Sequence, residues 1–257
     1  MGHIYRLTLA YRGTAYAGWQ RQPNAVTVQE RVEQALAALL DTSAAVVGAG
    51  RTDAGVHARA QVAHLELARP FPETGLVHGA NHRLPDDIRV LAAARMPPGF
   101  HARKHALAKE YRYRLIRTRI LTPLDALFAV AVTPNLDLER LRQATAALVG
   151  EHDFTAFTLT GGAHRSPVRR IDRAAWHEQD NTLELHIEGN GFLRGMVRSL
   201  VGTLIEVARG RRNPADIPHL LTGRPRAEAG PTAPPQGLVL EVVHYGPEWE
   251  PDVSSLW

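Results

Sequence analysis

The sequence predicts an α+β protein built as two halves, each with helices packed on one face of an antiparallel sheet. Three observations carry this. Segments such as Ile4–Tyr11 and Ala108–Ile116 alternate with the period of a half-buried strand. Segments such as 28–41 and 138–148 repeat apolar residues at helical spacing. The order strand, helix, strand, followed by further strands and a helix, occurs once before Arg117 and again after it, with no repeat visible in the residues themselves. Halves at 1–108 and 109–245, a tail at 246–257, and a cleft between the halves as the place for a ligand are the expectation.

In the first half, Tyr5, Leu7, Leu9 and Tyr11 share one face of the opening strand, and Arg12-Gly13-Thr14 turns it. Tyr16 to Pro23 is a loop rich in aromatics and amides. Thr27 and Glu30 have capping-box spacing. Val28, Val32, Ala35, Leu36 and Leu39 then line one stripe of a helix over 28–41, packed on the first strand. Ala60–Leu67 alternates as a strand, Val77–His82 reads as a short helix, and Ile88–Ala93 as another strand. Ala108–Ile116 puts Lys109, Tyr111, Tyr113 and Leu115 on one face, with Arg112, Arg114 and Ile116 on the other. Tyr113 reads as ordinary strand packing.

The stretch 117–134, with two prolines, reads as a connector between halves. Asp137 caps a helix through Leu138, Leu141, Ala144 and Leu148, ended by Gly150. His152–Phe157 is a compact aromatic loop, and Ile171–Glu188 holds two strands hinged at Gln179-Asp180-Asn181. Gly191–Arg198 opens a helix running to about Ala208, with Met196, Leu200, Leu204 and Val207 as its buried stripe. Asn213-Pro214 starts a helix that stops at Gly223, and Gly237–Tyr245 is the last strand.

Composition narrows the function. The 257 residues include no cysteine, which removes disulfides, thiolate nucleophiles and Cys-zinc sites together. Met1–Arg6 leads straight into strand-like alternation, and no apolar run approaches the roughly 18 residues of a membrane span. The chain reads as soluble and cytoplasmic. Its formal charge is +4, and only Lys104 and Lys109 of thirty basic residues are lysines. Arginine offers a planar fork for phosphate and stacks on bases, so the bias suits nucleic acid. A GC-rich genome or a demand for heat stability would produce it equally. Clusters at Arg112, Arg114, Arg117 and Arg119, at Arg165, Arg169, Arg170 and Arg173, and at Arg209, Arg211 and Arg212 favour the first account.

The richest stretch is Gly48–Leu65. Gly48, Gly50 and Gly55 frame a turn between two strand-like runs, and glycine there can take positive φ or admit a close neighbour. Asp53 is the only acid in that turn, with Arg51 two positions before it and Arg59 six after. A lone carboxylate between arginines on a glycine-framed loop has the layout of a reactive group on a rigid support. The bland reading is a glycine turn with a solvated ion pair. A phosphate-binding P-loop fails, because Val56-His57 stands where Lys-Ser/Thr is required. A metal reading of His57 and His64 fails too, since residues seven apart on a strand face opposite ways and a zinc site needs three or four converging ligands. His101 and His105 have helical spacing but no further ligand close by.

Gly50-Arg51-Thr52-Asp53-Ala54-Gly55-Val56-His57-Ala58 resembles the motif of the TruA family of tRNA pseudouridine synthases. The resemblance covers nearly the whole chain. It extends to Tyr11–Gln20 with Thr27-Val28-Gln29, Asn81 with Leu84–Ile88, Phe100–Arg103, Tyr111-Arg112-Tyr113, Gly150–Phe154, Phe192–Gly202 and Ala229–Leu238. Lys109 departs from the pattern, where arginine is at least as common, and this touches a local ion pair rather than the chemistry.

The resemblance implies a pseudouridine synthase fold of two ferredoxin-like halves sharing one bent antiparallel sheet around a central cleft. It implies isomerisation of uridine at positions 38, 39 and 40 of the tRNA anticodon stem-loop by a homodimer, with no metal and no organic cofactor. Asp53 matches the catalytic aspartate, Arg51 the arginine of the same motif, Tyr111 the active-site tyrosine, and Arg198 a basic partner from the second half.

That chemistry suits these residue types. The bond between N1 and C1′ breaks, the uracil turns, and C5 takes the place of N1. An ionised carboxylate can attack or stabilise the sugar carbon, or add to the base. Flanking arginines favour the charged form of Asp53, which suits a nucleophile and handicaps a general acid. Tyr111 can stack on the uracil and help remove the C5 proton. The base must leave the stack, at a cost of a few kcal/mol, so a basic rim and aromatic faces are needed. The alternatives are a non-catalytic RNA-binding protein and an RNA N-glycosylase releasing free uracil. Asp53 argues against the first, because a carboxylate among phosphate-binding arginines weakens binding.

Overall fold

A computed structural model describes residues 2–161 and 166–251. In chain order the elements are β1 (His3–Tyr11), α1 (Val28–Leu40), β2 (Val47–Gly48), β3 (His57–Leu67), α2 (Glu73–Asn81), β4 (Ile88–Met96), β5 (Ala106–Arg117), β6 (Val130–Val132), α3 (Leu138–Ala146), β7 (Gly150–Asp153), β8 (Val168–Gln179), β9 (Thr182–Gly189), α4 (Met196–Ala208), α5 (Asp216–Leu220) and β10 (Leu238–Tyr245). The chain divides into two compact units, residues 1–107 with 240–257, and residues 108–239. Residues 240–245 therefore fall in the first unit, whereas the sequence order places them in the second half.

The first unit carries the strand order β4-β1-β3-β10, with β2 on β3. β1 runs antiparallel to both β3 and β4, and the registers bring Leu7 opposite Ala63 on one side and Ala93 on the other. Tyr5, Leu7, Leu9 and Tyr11 are all buried, as their alternation requires. The Thr27 side chain accepts from Glu30 N at 3.3 Å and starts α1, whose buried face is Val28, Val32, Ala35 and Leu36. Leu39, expected in that stripe, lies at its half-exposed margin.

The described part of the expected tail, 246–251, is packed rather than loose. Trp249 stacks on His105 at 4.4 Å, and Arg6 donates to Trp249 O and Glu250 Oε2, both at 2.9 Å.

The second unit carries β5-β9-β8-β7, with β6 on β5. Asp180-Asn181 turns β8 into β9, and Asp180 takes φ +54°. The stretch 117–134 is not a connector between units: it lies inside the second, and β6 pairs parallel to β5, so the sheet is mixed rather than purely antiparallel. His152–Phe157 is not only a loop, since β7 pairs with β8 before Phe154 and Phe157 enter the core. In α4 every residue but Arg198 and Glu206 is buried, so burial extends almost all round the helix, well beyond the expected single stripe.

Candidate active site

The Asp53 loop is fixed by the turn that follows β1. Thr52 is buried, its hydroxyl 2.9 Å from the Tyr11 hydroxyl, and its carbonyl accepts Trp19 N at 3.1 Å. Tyr16 O accepts Gly55 N at 3.2 Å, Asp53 O accepts Val56 N at 3.2 Å, and Gln61 donates to Gly50 O at 3.1 Å. Gly18 sits at φ +97°, and a Cβ there would stand 2.5 Å from Thr52 O. At Gly13 a Cβ would collide with Val56 O. Of the three glycines framing the loop, Gly55 alone takes positive φ, while Gly48 gives room to the Trp19 indole. The loop is therefore clamped on both sides by backbone that only glycine allows so near. Asp53 at its tip is partly exposed.

Neither arginine that flanks Asp53 in sequence is paired with it among the described residues. Arg51 is exposed and has no hydrogen bond or ion pair among the described residues, and Arg59 reaches Glu241 at 3.4 Å. His57 is buried with Nδ1 accepting Gly13 N at 3.0 Å, so it braces the same clamp. His64 Nδ1 accepts Ala102 N at 3.2 Å, and His105 Nδ1 accepts His101 N at 3.2 Å. These rings hold backbone. Burial, and then the nearby His101, push the His64 pKa down. Tyr16 donates to Asp87 at 2.6 Å, and burial together with that carboxylate raises its pKa above the ordinary tyrosine range.

In the second unit, Tyr111 lies on β5 opposite Ile187 of β9, 6% exposed, with Phe192 edge-on at 5.0 Å. Tyr113 is core packing, its hydroxyl donating to Pro234 O at 2.7 Å. Arg198 stands in the first turn of α4, half-buried, with Nε donating to Ala233 O at 2.8 Å. Several clustered arginines are already matched by carboxylates. Arg112 and Arg114 meet Glu184 at 2.8 and 3.5 Å, Arg117 meets Glu178 at 2.6 Å, and Arg173 meets Glu110 at 3.2 Å. Arg170 pairs with Asp172, Arg212 with Glu206, and Arg165 lies outside the described residues.

Relatives of known type identify the lineage. The family profile described as tRNA pseudouridine synthase matches residues 8–108 and 144–246, well over half of the chain. The tRNA pseudouridine synthase A of Syntrophotalea carbinolica is 45% identical over 245 residues, which span 95% of this chain and 97% of that one. The protein of the same name from Geobacter sp. strain M21 is 45% identical over 241 residues, spanning 93% and 98%. The chain belongs to the tRNA pseudouridine synthase family.

A crystal structure of a Cbf5-Nop10-Gar1 complex aligns over 96% of this chain and 51% of that one, at 12% identity and a TM-score of 0.39, too loosely to carry an argument. Membership in the tRNA pseudouridine synthase family bears out the resemblance read from the motifs, and the α+β class with it. Two parts of the site were not singled out from sequence. Phe192 against Tyr111 had a signal in the Gly-Phe pair that lies just before α4. Gly13 and Gly18, with the aromatics around them, had theirs in the density of Gly, Tyr and Trp between Tyr11 and Trp19.

Proposed function

We propose that this chain isomerises uridine to pseudouridine at positions 38, 39 and 40 of the tRNA anticodon stem-loop, acting in the cytoplasm as a homodimer with a tRNA site built across it. The observation that carries the proposal is Asp53, a carboxylate at the tip of a loop whose backbone is fixed by Tyr11, Trp19 and two close-contact glycines. Positioned groups of this kind act without reorganising as charge develops. Family membership over nearly the whole chain supports tRNA as the substrate. Among the described residues no helix is long and apolar enough to cross a membrane.

In this reading the Asp53 carboxylate attacks or stabilises C1′ as the bond to N1 breaks, or adds to the base. Arg51, exposed beside it, meets the RNA backbone that the flipped nucleotide drags inward. Tyr111, held edge-on by Phe192, gives the uracil a face to stack on and lies at the C5 proton that must leave. Arg198 supplies positive charge from the second unit. N1 gains a proton as C5 loses one, so the product is an isomer of the substrate.

Asp53→Asn tests this. It keeps the shape and removes the charge, so tritium release from 5-tritiated uridine in tRNA should fall below detection. Binding should hold or tighten, because a charge repelling phosphate has gone. Substantial turnover by well-folded Asp53→Asn protein would sink the assignment, and release of free uracil would mark a glycosylase instead.

A further inference from the structure

Arg198 is held by a loop, and the loop is held by a second arginine. Residues 229–233 lie along α4: Gly230 N donates to Thr203 Oγ1 at 2.9 Å, and a Cβ on Gly202 would collide with Pro231 O. At the end of that loop Ala233 and Arg198 are joined twice, Ala233 N donating to Arg198 O at 3.0 Å and Arg198 Nε to Ala233 O at 2.8 Å. The loop's other side is taken by Arg226. Its Nη1 donates to Gly230 O at 2.9 Å and Ala229 O at 3.4 Å, and its Nη2 to Thr232 Oγ1 at 3.0 Å. Thr232 Oγ1 is in turn 3.4 Å from Ser199 Oγ, one residue past Arg198. Arg226 has no carboxylate partner among the described residues, and its Nε is buried without an acceptor there. Its fork is thus committed to the loop.

We propose that Arg226 is a positioning residue for pseudouridine formation, pinning residues 229–232 so that the Ala233 carbonyl fixes the plane of the Arg198 guanidinium. The proposal rests on the reading of Arg198 as the basic partner in the site. An arginine side chain has many rotamers to lose, and a bond through Nε sets the orientation of the whole planar group. If the Ala233 carbonyl drifts, the guanidinium drifts with it, and misplacement of about 1 Å costs on the order of 100-fold in rate. The residue must be an arginine, because the acceptors Gly230 O and Thr232 Oγ1 are met by two different nitrogens of one rigid fork.

The test is a double-mutant cycle on full-length tRNA, with kcat and KM measured separately and a thermal melt on each protein. Arg226→Gln should lower kcat on the order of 10- to 100-fold and leave KM within about twofold. Arg226→Lys, able to reach one acceptor, should recover part of that loss. In the Arg198→Ala background, Arg226→Gln should cost less than about twofold, since the group it positions is gone. An equal loss in both backgrounds would overturn the proposal, as would a raised KM with kcat unchanged, which would mark Arg226 as an RNA contact. Full kcat in Arg198→Ala alone would instead overturn the role given to Arg198. Should Arg226→Gln fail to fold, Thr232→Val removes one fork acceptor and should lower kcat at constant KM; an unchanged kcat there overturns the proposal equally.

Discussion

Residues far from Asp53 in sequence decide how firmly its loop is held. Gly18 combines φ +97° with a Cβ position 2.5 Å from Thr52 O, so Gly18→Ala imposes both backbone strain and a collision with carbonyl oxygen. A loss of about 2–5 kcal/mol is expected in denaturant unfolding, with activity falling further than the folded fraction because the loop shifts. A stability change inside about 0.5 kcal/mol, the range of ordinary surface substitutions, would show that the clamp yields easily. Tyr11 sets a pH dependence on the same clamp. Burial, opposed by hydrogen bonding to Thr52 and Gln61, pushes its phenol up to about 12. An unfolded tyrosine ionises near 10. Between those values the unfolded chain has released a proton that the folded chain keeps, so this contribution is full below about pH 10 and is lost as pH rises toward 12, at roughly 1.4 kcal/mol per unit. Tyr113 and Tyr245 are raised in the same direction by burial. Melts across that range should show Tm falling with pH, and Tyr11→Phe should flatten the fall. At neutral pH the same variant should be about 1–3 kcal/mol less stable, because Thr52 Oγ1 loses its buried partner. An unaltered alkaline slope would show that Tyr11 ionises without cost.

At the scale of strands and helices, neighbouring strands decide which arginines remain available to RNA. Arg173 on β8 faces Glu110 and Glu188 at 3.2 and 3.8 Å, whereas Arg169 on the same strand donates to the backbone carbonyls of Ser166 and Val168. Arg169→Gln should therefore lower the slope of log affinity for tRNA against log salt by about 0.7–0.9, one phosphate contact, and Arg173→Gln by much less. Equal changes would show that the carboxylates release Arg173 when RNA arrives. The carboxylate pairing was not legible in the sequence, where arginine clusters look like free charge. Glu184 is seventy-two positions from Arg112, and only the β5–β9 register brings them together. Elements with a clean period were legible: β1 by alternation, α1 by its cap and stripe. β6 was not, because three residues give no period and a parallel partner leaves no turn to recognise.

For the whole molecule, the candidate residues divide by how they could be found. Asp53 and Arg51 sit in one contiguous glycine-framed motif, so local chemistry already marked them. Tyr111 and Arg198 come from the second unit, and resemblance singled them out, since a strand tyrosine and a helix arginine look ordinary in isolation. The dimer rests on that resemblance as well, and light scattering should give about twice the 28.3 kDa chain mass; a value near one chain would remove it. The reaction itself allows a stricter test. One C–N bond breaks and one C–C bond forms within the same molecule, with a proton leaving C5 and another joining N1. No electron and no atom enters or leaves overall, so a carboxylate, a proton acceptor and fixed positive charge are sufficient in kind. Treated tRNA should therefore keep its intact mass, release no free uracil, and gain pseudouridine at an undiminished rate after chelation. Because magnesium also holds tRNA in shape, the comparison belongs on a short anticodon stem-loop whose melting is followed in the same buffer. Loss of activity on that folded stem-loop, restored by zinc, would overturn the metal-free reading, and a mass deficit of one uracil would replace isomerisation by cleavage.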